Sequence, residues 1–110
     1  MVYELRRKLL KACIESAIIV QISERGFLSA TDIIAVLRKR FEIQLSPGTV
    51  YPVLDKLEKE GKIEKLPNRR KRLYVLTSKG RETSESIGEK IGEINDFVTM
   101  LIKPPDEVNR

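Results

Sequence analysis

The stretch Ser46–Gly80, SPGTVYPVLDKLEKEGKIEKLPNRRKRLYVLTSKG, carries the signals from which the rest of the chain is read. Ser46 has a side-chain oxygen able to cap the free N–H groups of a first helical turn, and Pro47, its φ already near helical values, suits the first position inside. Val50, Val53, Leu54 and Leu57 then recur at the i, i+3, i+4, i+7 spacing of one buried helix face. Gly61 turns left-handed past a last helical turn at no steric cost. The spacing predicts a helix over residues 47–60. A short segment, 62–66, leads into the turn-forming and basic run Pro67, Asn68, Arg69, Arg70, Lys71, and then into Arg72–Leu76, rich in apolar and β-forming residues. These predict a two-stranded hairpin with a cationic tip. Thr77 stands where it can cap a new helix.

A helix followed directly by a basic hairpin is the order of a winged helix-turn-helix. Its helix enters the major groove, about 12 Å wide, and its hairpin leans on the neighbouring backbone or minor groove. Particular residues sharpen this: Gly48-Thr49-Val50-Tyr51-Pro52-Val53-Leu54, then Leu57-Glu58 and Gly61, then Tyr74 and Leu76-Thr77-Ser78-Lys79-Gly80-Arg81. This "GT-aliphatic-YP" helix, "LE…G" helix exit and "Y-x-LT-x-x-G" second wing strand resemble the signature of the PadR family of transcriptional regulators across residues 27–82. With one terminal helix in 110 residues, the chain is similar to the short subgroup of that family. The resemblance implies a mainly α fold with a small β-hairpin wing (α+β), a winged helix-turn-helix with long N-terminal and C-terminal dimerisation helices. It further implies double-stranded DNA as partner, a repressor acting as a homodimer on an inverted repeat, and operator contact by Tyr51. A small planar aromatic ligand at the dimer interface is also implied. The drug-binding members place a tryptophan there; this chain has none, and Phe97 is the only aromatic of its terminal helix.

Composition narrows the function classes. A chain of 110 residues, 41% hydrophobic and 34% charged, is globular rather than disordered. At this length about two thirds of the unfolded surface becomes buried, so association would help. The net charge is +5, and residues 62–76 carry all of it: Lys62, Lys65, Arg69, Arg70, Lys71 and Arg72 stand against Glu64 alone. An excess of positive charge on one hairpin is the footprint expected for phosphate. With no histidine and one cysteine, the commonest general base is missing and a zinc cage or internal disulfide cannot be built, so neither an enzyme nor a metal or other cofactor is expected. The longest apolar run, Ala17–Val20, falls far short of the ~20 residues that span a bilayer, and a cytoplasmic protein without membrane contact is expected.

In chain order, residues 4–24 read as one helix with two apolar stripes. Leu5, Leu9, Ala12/Cys13, Ser16/Ala17 and Val20 form the first; Leu10, Ile14, Ile18 and Ile22 form the second. Either one stripe covers the core and the other meets a second subunit, or both are buried within one subunit. Gly26-Phe27-Leu28 ends that helix in a short edge strand. Ser29 or Thr31 caps the next, with Ile33, Ile34, Leu37 and Phe41 inward; Arg38, Lys39 and Arg40 at its end suit phosphate or the helix dipole equally. Ile43 and Leu45 are core anchors in the loop that follows.

On the central helix, Ser46, Thr49, Tyr51 and Lys56 are the candidates for groove or adjacent phosphate contact, though Tyr51 could instead pack under the hairpin. Pro52 removes one backbone bond and has no role legible in the sequence. In the hairpin, Ile63, Tyr74 and Leu76 face inward, leaving Arg69, Arg70, Lys71 and Arg72 for phosphate or the minor groove. The last helix, 78–102, carries Ser84, Ile87, Ile91, Ile94, Val98 and Leu101 at alternating spacings of three and four, a coiled-coil seam. Leu9 with Ile87, Ile91, Ile94, Val98 and Leu101 is the predicted dimer interface. Glu82, Glu85, Glu89, Glu93 and Asp96 make this helix acidic, apt to pair with Arg6, Arg7, Lys8 or Lys11. The organisation expected is a DNA-binding part over 1–82, a dimerisation helix over 83–103 and a loose tail over 104–110. The rival reading is a winged-helix module that meets an acidic protein partner without specific DNA binding.

Overall fold

A computed structural model describes residues 2–67 and 71–103; the predicted wing-tip arginines Arg69 and Arg70 and the predicted tail lie outside the described residues. The elements run α1 (Val2–Ala12), α2 (Ile14–Arg25), β1 (Leu28–Ser29), α3 (Ala30–Phe41), α4 (Pro47–Lys59), β2 (Ile63–Pro67), β3 (Arg72–Leu76), α5 (Ser78–Glu89) and α6 (Ile91–Ile102). The fold is mainly helical with a three-stranded antiparallel sheet in the order β1-β3-β2, a winged helix.

The core is built around α2. Its Ile14, Ile18, Ile19 and Ile22 meet Ile33, Ile34 and Leu37 of α3, Val50, Leu54 and Leu57 of α4, and Ile63 and Tyr74 of the hairpin. Ile43 and Leu45, in the α3–α4 loop, are buried as the sequence led us to expect. Ile19, which belongs to neither predicted stripe, is buried too, because α2 is enclosed on more than one side. Burial lifts the Tyr74 hydroxyl above the ordinary tyrosine pKa.

Local chemistry explains where the elements start and stop. Ser29 caps α3 through a reciprocal box: its hydroxyl accepts from the Asp32 N–H at 3.1 Å, and the Asp32 carboxylate accepts from the Ser29 N–H at 3.2 Å. These bonds, the Ser29 hydroxyl foremost, hold the Asp32 carboxyl below its usual pKa, with the nearby Lys71 ammonium adding to the effect. A carboxyl depressed in the folded state stabilises above the unfolded carboxylate pKa and loses that contribution as the pH falls through the folded value. Ser29→Ala is therefore expected to cost about 1 kcal/mol at neutral pH, with the deficit shrinking in acid, as read by urea unfolding at several pH values. Thr77 caps α5 by accepting from the Gly80 N–H at 3.1 Å. Gly61, at φ +75°, lets Lys62 return its N–H to the Leu57 carbonyl at 3.0 Å and turns the chain into β2.

Four expectations need correction. The N-terminal helix is not continuous: Cys13, at φ −108° and ψ 15°, divides α1 from α2. Beyond the bend, α1 is drawn across the α3–α4 loop, where Arg6 Nη2 donates to the Phe41 carbonyl at 2.7 Å and the Tyr3 hydroxyl accepts from the Gln44 N–H at 3.3 Å. The terminal helix likewise breaks at Lys90, whose N–H reaches back only three residues to Ile87, between the weak helix formers Gly88 and Gly92. Ser46 holds the capping position of α4 without a side-chain bond to a backbone N–H; its hydroxyl is 3.2 Å from that of Thr49. Finally, the edge strand is Leu28–Ser29 rather than Gly26–Leu28, while Gly26, at φ +87°, ends the helix as expected. Among the described residues no helix is long and apolar enough to cross a membrane.

Candidate nucleic-acid interface

The α4 helix buries Val50, Leu54 and Leu57 and turns Gly48, Tyr51, Pro52, Asp55, Lys56 and Lys59 to solvent. Pro52 has no N–H to return to the Gly48 carbonyl, yet the helix runs through it unbroken. Around this outward face stand two flanks. On one side the hairpin rises, and the hollow between it and α4 is bordered by Tyr51, Asp55, Lys65, Lys71 and Arg72. On the other, the bend at Cys13 brings Arg7 and Lys11 of α1 beside Arg38, Ser46 and Thr49 at the α4 N-terminus. Sequence reading offered Arg7 and Lys11, with Arg6 and Lys8, as alternative partners for the acidic terminal helix. No local signal could have placed them here, since their position depends on how α1 docks across the α3–α4 loop.

The predicted contact residues fare differently from one another. Ser46 is exposed and Thr49 half-buried, both at the open end of α4. Tyr51 is 43% exposed, so it borders the hairpin hollow without being packed beneath it. Lys56 is turned toward α2, its Nζ 2.8 Å from Glu15 Oε2, and that bond together with the carboxylate charge raises its pKa. Lys71 Nζ lies 3.5 Å from Asp32 Oδ2, and Lys65, one of the hairpin cations but not among the predicted contact residues, lies 3.5 Å from Glu58. Arg72 is exposed and has no ion-pair partner among the described residues. Three lysines of this surface are thus held by the protein's own acids. These pairs are largely solvated, so each is weak and can exchange its carboxylate for another anion.

The predicted association residues form a separate surface. The α6 helix buries no residue within the subunit: Ile91, Ile94, Phe97 and Leu101 are 59%, 45%, 59% and 65% exposed. Ile87 and Val98 are half-buried. Leu9, 40% exposed, lines a separate apolar groove of about 420 Å³ with Cys13, Ala17, Val20 and Phe41. Gln21, on the same groove, is buried with its side-chain carbonyl oxygen unpartnered among the described residues. Of the two predicted N-terminal stripes, Leu10, Ile14, Ile18 and Ile22 cover the subunit's own core and the Leu9 stripe is left open.

A helix flanked by a basic hairpin and set on a three-helix core defines the class of winged helix-turn-helix proteins. Within that class the chain belongs to the PadR-like family of transcriptional regulators, whose pattern matches residues 18–86. These regulators are not enzymes. Among solved structures, the chain is similar to a PadR-like transcriptional regulator from Bacillus cereus, 25% identical with a TM-score of 0.76 over 88% of this chain and 98% of that one. A transcriptional regulator from Clostridium thermocellum, 18% identical with a TM-score of 0.74 over 87% and 96% of the two chains, shares the fold. The similarity extends to Bacillus subtilis PadR in complex with operator DNA, 25% identical with a TM-score of 0.57 over 66% of this chain and 44% of that one. No curated protein sequence matches the chain.

Proposed function

We propose that the protein is a cytoplasmic transcriptional repressor that binds an inverted-repeat operator in double-stranded DNA as a homodimer. The observation that carries this reading is the outward face of α4, open between a cationic hairpin and the basic end of α1, on a chain of the PadR-like family. Two α4 helices related by the dimer axis would read half-sites in successive major grooves, roughly one helical turn apart. Ser46, Thr49 and Tyr51 serve the groove or its rim. Arg69, Arg70, Lys71 and Arg72 serve the phosphates from the wing, and Arg7, Lys11 and Arg38 from the other flank. Lys56 joins them once DNA displaces Glu15. The similarity to a PadR solved on operator DNA supports the same assignment.

The exposed apolar face of α6 supports the dimer, since a helix that buries nothing in its own subunit is a surface awaiting a partner. The acidic residues of α5 and α6 complement Arg6 and Arg40 at the rim of the Leu9 groove, which supports the partner's terminal helix as its occupant. A planar aromatic ligand entering that groove would compete for the same apolar surface and so couple ligand to DNA affinity.

Selection of bound duplexes from a random pool tests the proposal: a palindrome should be enriched, and a pure protein-interaction module would enrich none. On that palindrome, Arg72→Ala should lower the slope of log affinity against log salt by about one unit while weakening random and operator duplexes alike. An unchanged slope removes the wing from the interface.

A further inference from the structure

The outward face of α4 carries few groups able to recognise a base. Gly48 in its first turn and Pro52 at its middle are exposed and have no side-chain donor or acceptor, and Lys56 leans away onto Glu15. What remains is the row Tyr51, Asp55, Lys59, spaced i, i+4, i+8 so that the three stand one above another along the helix, with Tyr51 and Asp55 bordering the hollow beside the hairpin. Asp55 is the centre of that row. Its side chain borders the hollow between α4 and the wing beside Lys65, Lys71 and Arg72, and no salt bridge engages it among the described residues.

A carboxylate in this place is costly for mere DNA affinity, because it meets phosphate oxygens of like charge. The neighbouring acids differ. Glu15, Asp32 and Glu58 each hold a lysine, whereas Asp55 projects from the helix that would lie deepest in the groove. In the major groove the partner suited to an acceptor-only side chain is an exocyclic amino group, and cytosine N4 presents that donor without an adjacent ring acceptor to repel the second oxygen. Adenine presents N6 beside the acceptor N7, a pattern that suits a carboxamide instead.

We infer that Asp55 is a specificity-determining residue of the α4 helix, accepting a hydrogen bond from the amino group of a cytosine once in each half-site. This rests on the proposed DNA-binding reading and adds a chemical rule to it. The carboxylate contributes discrimination rather than affinity: it rejects guanine and thymine, whose major-groove edges offer no hydrogen-bond donor, and lowers binding to DNA of random sequence.

The test is selection from a random duplex pool with the full-length protein and with Asp55→Asn and Asp55→Ala, each folded because the site is exposed. The wild-type palindrome should carry cytosine at one symmetric pair of positions. Asp55→Asn should change that pair to adenine with the rest of the palindrome kept, and Asp55→Ala should leave it indifferent, losing about tenfold in preference while binding random duplex more tightly. If all three proteins enrich the same bases at every position and differ only in overall affinity, Asp55 is merely a repelling charge and the inference is overturned. If the wild type itself enriches no duplex, the DNA-binding reading fails first, and the two failures are distinguishable.

Discussion

Replacing Ile94 and Leu101 together by lysine is expected to leave the chain a monomer and to weaken operator binding about 100-fold or more, with the fold of the subunit intact. Both side chains lie on α6, which covers no part of its own core, so their loss removes nothing from the packing around α2. In the proposed dimer each would be buried, and burying an isoleucine or leucine is worth roughly 1.5–3 kcal/mol. Twofold symmetry repeats the loss on the partner, and four lysine ammonium groups would be forced into an apolar seam. The consequence for DNA follows from linkage of two reading heads. A dimer bound through one half-site holds its second α4 at an effective concentration in the range of about millimolar, which raises avidity by about 10²–10⁴ over one head alone. Sedimentation velocity reads the oligomeric state, circular dichroism the fold, and fluorescence anisotropy the affinity for the selected palindrome. A variant that stays dimeric, or a monomer that binds as tightly as the wild type, would remove α6 from the proposal.

Gly80→Ala should be the most damaging of the small substitutions, lowering stability by about 3 kcal/mol and the melting temperature by at least ~10 °C. Gly80 is buried in the first turn of α5, and a Cβ built there runs into the backbone carbonyl of Lys62 at the foot of β2. That carbonyl is fixed: it accepts from the Thr77 N–H at 3.1 Å, and Thr77 in turn receives the Gly80 N–H on its hydroxyl. The hairpin base and the start of α5 are therefore clamped through one point, with Ile63 paired to Leu76 just above it. No flexible side-chain end is available to yield, so either α5 lifts off or the hairpin shifts, and both would move the wing relative to α4. Thermal unfolding followed by circular dichroism checks this, with Gly88→Ala as the comparison because a Cβ there meets nothing within 4 Å in the subunit. Equal melting temperatures for the two variants would show that the clamp has slack. The glycine of the "LT-x-x-G" pattern thus has a mechanical reason of its own, independent of any resemblance.

Where the chain was readable in advance, the information lay within a turn or two of the residue concerned. Pro47 and Gly61 bracket α4, Ser29, one of the two caps the sequence offers, opens α3, Thr77 opens α5, and the alternation of Tyr74 with Leu76 places them on one side of β3. Each of these is an interaction between near neighbours, and a spacing of two or three to four residues announces it. The outward position of the α4 residues followed equally, since a helix that buries Val50, Leu54 and Leu57 has no choice about its other face.

Contacts between distant residues settled the remainder. Lys56 finds Glu15 across 41 residues, and Lys71 finds Asp32 from the far side of the hairpin, so charges that sequence counts as free are in fact paired. The bends at Cys13 and Lys90 have only weak local causes. The first is where α1 is pulled over the α3–α4 loop by the Arg6 and Tyr3 bonds, and that pull is what sets Arg7 and Lys11 beside the tip of α4. Helix periodicity records which side of a segment is apolar, but the direction in which a segment leaves its neighbour depends on energies summed over elements that the chain brings together only when folded.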